Sequence, residues 1–384
     1  MISSTRFLTL RDRGLAQFRR SLRQASQPPR SAGFTLTELL VAMVMGSIIT
    51  GSLLFMIVNV LQFNQREDTR SETQREMKVA LDYISTELRE AVFVYDGNCM
   101  SATAPVGAGL CPGVLRHLPT ALQSAGRTPV LAFWRVDELP QPLIQACATN
   151  AGQLYADPPP TAINGVPCLS RRSYTLVVYF LDTNKTGTWK GNARLRRYEL
   201  PQFQPDGTRN VGWVDPTITN NNFAGWPLNS QGVNLQTQTT LPDGSPNLAQ
   251  GVPVAPVEPE PVVLTDYVDT PTPPASPTNN PNNTVTCPQS PDDGNAPSVP
   301  TMLPRFERSP TAGSPSFYAC VRGGGVDKQT PPVASNTGGR NQEVFLFLRG
   351  NTAGRSGTPT AARVTLDLET RVVTRGSYEK LPAP

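Results

Sequence analysis

The chain has 384 residues, with 34 Lys and Arg against 30 Asp and Glu and a single histidine, for a formal net charge of +4. One histidine, with no GxSxG, HExxH or Gly-rich phosphate loop, leaves no catalytic or metal signature, so no enzyme, metal or cofactor is expected. Nor is the positive charge a nucleic-acid surface: Arg6, Arg11, Arg13, Arg19, Arg20, Arg23 and Arg30 against Asp12 put +6 into residues 1–33, and taking that from +4 leaves −2 for 34–384.

Residues 34–63 are almost wholly Leu, Val, Ile, Met, Phe and small residues, with Glu38 the single ionisable side chain. A helix rises about 1.5 Å per residue and the bilayer core is about 30 Å thick, so this run suffices to cross a membrane. Gly46 and Gly51 inside it permit close helix packing or a bend. The arginine-rich leader flanking the run is a topological signal that holds its side in the cytoplasm. A carboxylate deep in the membrane costs about 2.5–3.5 kcal/mol on insertion scales, so Glu38 needs a partner. The leader ends in Ser31-Ala32-Gly33 and the apolar run begins at the next residue. A secretory signal places its small-residue cleavage site after the apolar region, whereas here the candidate site precedes it.

Gly33-Phe34-Thr35-Leu36-Thr37-Glu38-Leu39-Leu40 resembles the processing motif of type IV prepilins and pseudopilins. The resemblance implies that a membrane-embedded prepilin peptidase cuts between Gly33 and Phe34 on the cytoplasmic face and methylates the new amine of Phe34. It implies that Glu38, fifth in the mature chain, pairs with that amine during assembly. The implied partners are other pilins or pseudopilins and an inner-membrane assembly platform. The implied location is the inner membrane, single-pass, with the N-terminus cytoplasmic and the head periplasmic, and afterwards a pilus-like filament or the cell surface.

Beyond 63 the composition turns polar, yet nothing breaks a helix until Gly97. Met77, Leu81, Ile84, Leu88, Ala91 or Val92, and Tyr95 recur at three- and four-residue spacing, one apolar stripe with Glu87 and Glu90 on the wet side. The expectation is one helix from about 35 to 94, close to 90 Å long, whose amphipathic half, 64–96, lies on a folded head at 97–384. In the head, 130–136, 174–181, 194–200, 344–348 and 364–368 read as strands bounded by Pro, Gly or Asn, and 371–374 as a hairpin return. Apolar residues on both faces of 174–180 suit a doubly covered strand. The fold class is therefore α+β and pilin-like: a long N-terminal helix on an antiparallel sheet, with long irregular insertions.

Those insertions are 253–304, with 14 prolines, expected to be extended or disordered, and the Asn- and Gln-rich 220–247, a surface arm or a tolerated insertion. Six cysteines, Cys99, Cys111, Cys147, Cys168, Cys287 and Cys320, all follow the membrane helix, which points to disulfides in an exported domain; sequence-neighbour pairing is the expectation. His117 reads as a surface residue before a turn, Gly323-Gly324-Gly325 as a hinge or turn, and 182–187 as a hairpin turn rather than a calcium loop, since Ala193 stands where that loop needs a bidentate Glu.

Residues 72–95, Leu131-Ala132-Phe133-Trp134-Arg135 and Phe317-Tyr318-Ala319-Cys320-Val321-Arg322 are similar to PilW-type minor pilins, and among those to pseudopilins of hormogonium polysaccharide secretion. That likeness implies polysaccharide export and gliding motility, with polysaccharide as an added partner. A type II secretion minor pseudopilin for protein export, and a membrane-tethered glycan-binding module or adhesin, stay open as alternatives.

Overall fold

The computed structural model describes residues 33–374 apart from 98, 101–111, 153–162, 164, 185–187, 221, 254–261, 271–286, 288–300, 304–315, 323–341 and 360–363. The leader is thus described only at Gly33, and the Gly323–Gly325 turn lies outside the described residues. The chain divides into two compact units, one reaching Phe63 and one starting at Asn64. The helix α1 (Leu36–Arg89) contributes to both.

In the first unit no residue of α1 is buried, and the side chains are those of a membrane-spanning helix by length and composition. Its hydroxyls are satisfied on their own helix, Ser47 Oγ donating to the Val44 carbonyl and Ser52 Oγ to that of Ile49, each at 2.8 Å. Such internal pairing is what a solvent without hydrogen-bond partners requires.

In the second unit, nine strands among the described residues form one antiparallel sheet: β1 (Ala91–Val94), β2 (Arg127–Glu138), β3 (Arg172–Asp182), β4 (Ala193–Pro201), β5 (Val262–Val268), β6 (Thr301–Leu303), β7 (Phe317–Arg322), β8 (Glu343–Asn351) and β9 (Thr365–Val373). The order is β1-β2-β3-β4-β5-β8-β7-β6, with β9 also paired to β8. A short helix, α2 (Gln141–Thr149), follows β2.

Side-chain alternation divides the faces of β2–β4. Arg135, Tyr179 and Arg197 meet Glu87 of α1, so their parity faces the helix. Trp134 and Tyr174, of the other parity, pack on Phe223 and Trp226 with centroids 5.1–6.2 Å apart. Both faces are therefore covered, which explains the two-sided apolar runs of β2 and β3. Met77, Ile84 and Leu88 are fully buried on the helix side, each such side chain contributing about 1.5–3 kcal/mol. At Gly350 of β8 the helix approaches so closely that a Cβ would lie 2.0 Å from Met77 Sδ. The loop after β8 clasps the same helix: Thr69 Oγ1 donates to the Ser356 carbonyl at 2.8 Å, and Arg355 pairs with Glu72 at 3.0 Å and with Glu76. Gln342, just before β8, covers the free edge of β1: its amide takes the Val94 N–H and donates to the Val94 carbonyl, both at 2.7 Å, in place of a neighbouring strand.

Several sequence expectations change. The helix stops at Arg89, and 91–94 forms β1 against β2, with Ala91 opposite Arg135 and Val94 opposite Phe133. Val92, Phe93 and Val94 are β-branched or aromatic and gain more on a pleated surface than in a last helical turn. Residues 371–373 continue β9 rather than turning back, Arg371 lying opposite Phe345. The Pro-rich stretch contains β5, which pairs with β4 and places Val268 opposite Gly350. Segment 220–247 is neither an arm nor a loose insertion. Phe223, Trp226 and Leu235 are buried in the main core, and its amides bind backbone: Gln236 Nε2 reaches the Gly212 carbonyl at 2.8 Å, and Asn247 Nδ2 the Leu235 carbonyl at 2.9 Å. Asn and Gln here do the work that ladder hydrogen bonds do in a sheet. Asp182 starts a hairpin link between β3 and β4, and its carboxylate is occupied by Arg196 at 3.0 Å and Arg127 at 3.5 Å.

His117 is not a surface residue. It is half-buried beside the Trp226 ring, and burial first, then the Arg116 charge, pushes its pKa from 6.5 down to about 4. The unfolded chain takes up this proton near the ordinary value and the folded chain only near pH 4, so the contribution is present above pH 6.5 and lost as pH falls toward 4. As this is the only histidine, denaturation of wild type and His117→Asn should diverge between pH 6.5 and 4, the wild type losing more stability; parallel curves would contradict the buried placement.

Candidate functional site: the processing and assembly segment

Gly33 and Phe34 precede α1 and are exposed, Phe34 at 85%. A Cβ built on Gly33 meets nothing within 4 Å, so the expected cleavage position stands clear of its surroundings. Helix α1 is started by a reciprocal cap. Glu38 Oε2 accepts from the Thr35 N–H at 3.0 Å and from Thr35 Oγ1 at 2.8 Å, while Thr35 Oγ1 takes the Glu38 N–H at 3.4 Å. This Thr-x-x-Glu capping box holds the carboxylate over the positive end of the helix dipole. It also holds it on the amide next to Phe34. An amine freed at Phe34 is therefore generated one residue from a carboxylate already oriented toward the helix start. The structure brings Gly33, Phe34 and Glu38 into one short segment; the cysteines lie elsewhere, in the head.

Cys147 and Cys168 are bonded, with Cα atoms 5.4 Å apart, within a small apolar cluster with Leu139, Ile163 and Phe203. Cys287 and Cys320 are bonded, with Cα atoms 5.7 Å apart, against Phe345. Cys99 is also disulfide-bonded, and Cys111 lies outside the described residues. Cys287 stands in a proline-rich stretch that its bond ties to β7.

Glu87 is the residue that periodicity misplaced. It is 5% exposed and faces the sheet. Arg197 of β4 grips it with Nε at 3.1 Å and a terminal nitrogen at 2.9 Å, and Arg135 of β2, Tyr179 of β3 and Tyr83 of α1 also donate to it. Arg135 and Arg197 share further acids, Asp137 at 2.9 Å and Glu199 at 2.7 Å respectively. Burial pulls the Arg197 guanidinium down, but the Glu87 hydrogen bonds and the charges of Glu199 and Glu87 hold it above its ordinary range. Burial, then the Glu87 charge, raises the Tyr179 phenol. Glu90 is exposed, as its position on the helix period implies. The available sequence signal for Glu87 was arginine on otherwise apolar strands, which calls for a facing acid.

The N-terminal segment has a match among protein-family models. Residues 28–54 carry the prokaryotic N-terminal methylation motif. That motif marks a type IV pilin-like protein, and the long apolar helix followed by an antiparallel sheet domain is a pilin-like architecture. The pilin-like motif implies processing by prepilin peptidase and membrane assembly with other pilins, and the apolar helix is long and apolar enough to serve as a single-pass anchor, as in pilins. No curated protein and no solved structure matches the chain.

Proposed function

We propose that this pilin-like protein is a minor pilin or pseudopilin, a non-enzymatic subunit of a type IV pilus-like filament, and that its filament supports polysaccharide secretion and gliding motility. The observation that carries the reading is the methylation motif at 28–54, which runs into the apolar start of a helix whose far half docks on a sheet. The leader charge orients the N-terminus to the cytoplasm and the head to the periplasm. Processing at Gly33 then leaves Phe34 and Glu38 at the membrane face, where the subunit waits for extraction into the filament. A head enlarged by the turn-rich segment 202–253 and the proline-rich stretch beyond it suits a subunit present in few copies rather than one repeated along a fibre. The likeness of 72–95, 131–135 and 317–322 to PilW-type minor pilins supports the same assignment, and the likeness to pseudopilins of hormogonium polysaccharide secretion supports the cargo.

The test is fractionation. Surface filaments sheared from cells should contain this chain at low stoichiometry, and its deletion should reduce both surface polysaccharide and gliding. Confinement to membranes, or unchanged polysaccharide after deletion, would count against the reading.

A further inference from the structure

Strand β9 pairs with β8 along its whole length and, among the described residues, with nothing on its other edge. The Thr352 N–H donates to the Val364 carbonyl at 3.1 Å, and the Thr374 N–H to the Gln342 carbonyl at 2.9 Å. Even-numbered residues of β9 therefore face β8, and antiparallel alternation turns the N–H and C=O groups of 365, 367, 369, 371 and 373 outward. An open edge is a template for another strand, so folds usually shorten it, bulge it, cover it, or place Pro or Lys on it. Elsewhere this sheet follows that rule: β6 has three residues, and Gln342 covers β1. β9 departs from it, with nine residues in unbroken register and no Pro, Lys or bulge.

We propose that β9 takes up an extended strand of another protein, one with Lys or Arg at alternate positions, which lengthens the sheet and sets its cations over Asp367 and Glu369. Both carboxylates are on the exposed side of β9, and among the described residues neither is in an ion pair. The cations next to them are already engaged. Arg349, opposite Asp367, pairs with Asp269 at 2.8 Å, and Arg371 pairs with Glu343 and lies 5.5 Å from the Phe345 ring centroid. Phe347, opposite Glu369, stacks on Tyr318 with centroids 4.3 Å apart. Burial first, then the charges of Glu369 and Asp367, push the Tyr318 phenol up to about 12, so acids and rings share one face. A Lys or Arg side chain suits that face, its stem on the rings and its charge on the carboxylates. The main-chain groups of the edge supply affinity, and the like charge of an acidic strand is rejected. A second copy of this chain fits less well. β8 starts beside Val94 and reaches Met77 at Gly350, so β9 runs back toward Val94. Antiparallel pairing of two β9 strands would then point the two Asn64 ends opposite ways, which anchors in one membrane do not permit. Parallel pairing would put the two acidic faces on opposite sides of the sheet, where neither gains a cation.

The edge belongs to the head and is independent of the N-terminal segment, so its test is separable from the assembly reading. Full-length protein in phosphatidylcholine nanodiscs is titrated with the dye-labelled peptide Thr-Lys-Val-Lys-Val-Lys-Thr, read by fluorescence anisotropy against empty nanodiscs. The peptide should bind with a dissociation constant on the order of 0.1 mM. Its fully backbone-N-methylated analogue, which cannot donate to a strand, and its analogue with Glu for Lys should not bind. Glu369→Gln should weaken binding about twofold to fivefold. Glu369→Pro, which removes an N–H that faces away from β8, should weaken it about tenfold or more, and Glu369→Gln supplies the answer if that variant misfolds. Glu90→Gln, at an exposed residue of α1, should change nothing. Hydrogen exchange resolved to single amides should show 365, 367, 369, 371 and 373 exchanging fast in the free protein and slowly with peptide bound. No binding, equal binding of either analogue, or odd-numbered amides already slow in the free protein would overturn the proposal. Self-association lost in Glu369→Pro, with no peptide binding, would replace it by the second copy. Filament recovery without peptide binding would remove the site and leave the assembly reading standing.

Discussion

Glu87→Ala is expected to destabilise the head by about 3 kcal/mol, at the lower end of what breaking a buried ion pair costs. The carboxylate is the common acceptor for groups from β2, β3 and β4 on one helix. Removing it leaves Arg197, whose side chain is 9% exposed, with Glu199 alone, and Arg135, at 19%, with Asp137 and the more distant Glu199. Those remaining acids are why the loss falls below the upper end of the range. Desolvation has already been imposed on both guanidiniums by the fold, so the loss is a buried charge short of a counter-ion rather than a missing contact. Urea denaturation of the purified protein, read by tryptophan fluorescence, measures it. Glu87→Gln should lose less than Glu87→Ala, because the amide oxygen still accepts one hydrogen bond. Replacing Glu87 and Arg197 together by Met should recover part of the loss, since no unpaired charge then remains at that contact. A Glu87→Ala midpoint equal to wild type would show that the network holds nothing.

Glu38→Ala is expected to leave membrane insertion intact, or to improve it, and to abolish incorporation into filaments. Insertion gains because a carboxylate no longer enters an apolar run. The capping box with Thr35 is lost too, at about 1 kcal/mol for a helix end, which the rest of a 54-residue helix tolerates. Assembly is expected to fail for a different reason: an amine freed at Phe34 and the carboxylate at Glu38 would offset each other's burial only as a pair, and an amine alone in an apolar bundle would have no partner. Quantifying Glu38→Ala against wild type in sheared filaments, at equal membrane levels, separates the two effects. A mere anchor predicts normal or better yields, and that outcome would strip Glu38 of an assembly role.

Much of this molecule was legible before any coordinates. The Gly33-Phe34 step ahead of an apolar run is an order of features that a cleaved signal does not have. The stripe at Met77, Leu81, Ile84 and Leu88 fixes the docking face, and a two-sided apolar run identifies β3. What was not legible depends on tertiary context. Glu87 sits at the margin of the stripe, where periodicity alone cannot distinguish water from three facing donors. The run from Ala91 to Val94 continues the helical spacing, and only the exposed edge of β2 makes it a strand. β5 lies among prolines, where composition outweighs seven suitable residues, yet β4 offers it a partner. The polar tract at 220–247 folds because its amides bind backbone and its few aromatics are swallowed by the sheet face, a pairing that composition does not encode.

The basic leader is expected to be removed between Gly33 and Phe34, with the helix that begins there staying in the protein. Intact-mass and N-terminal peptide mass spectrometry of the chain extracted from membranes tests it most directly. The expected result is a chain beginning at N-methylated Phe34, with Gly33→Val accumulating as full-length precursor. A mature protein that still carries its arginine-rich leader, or one cut after residue 63 with the apolar helix lost, would contradict the account.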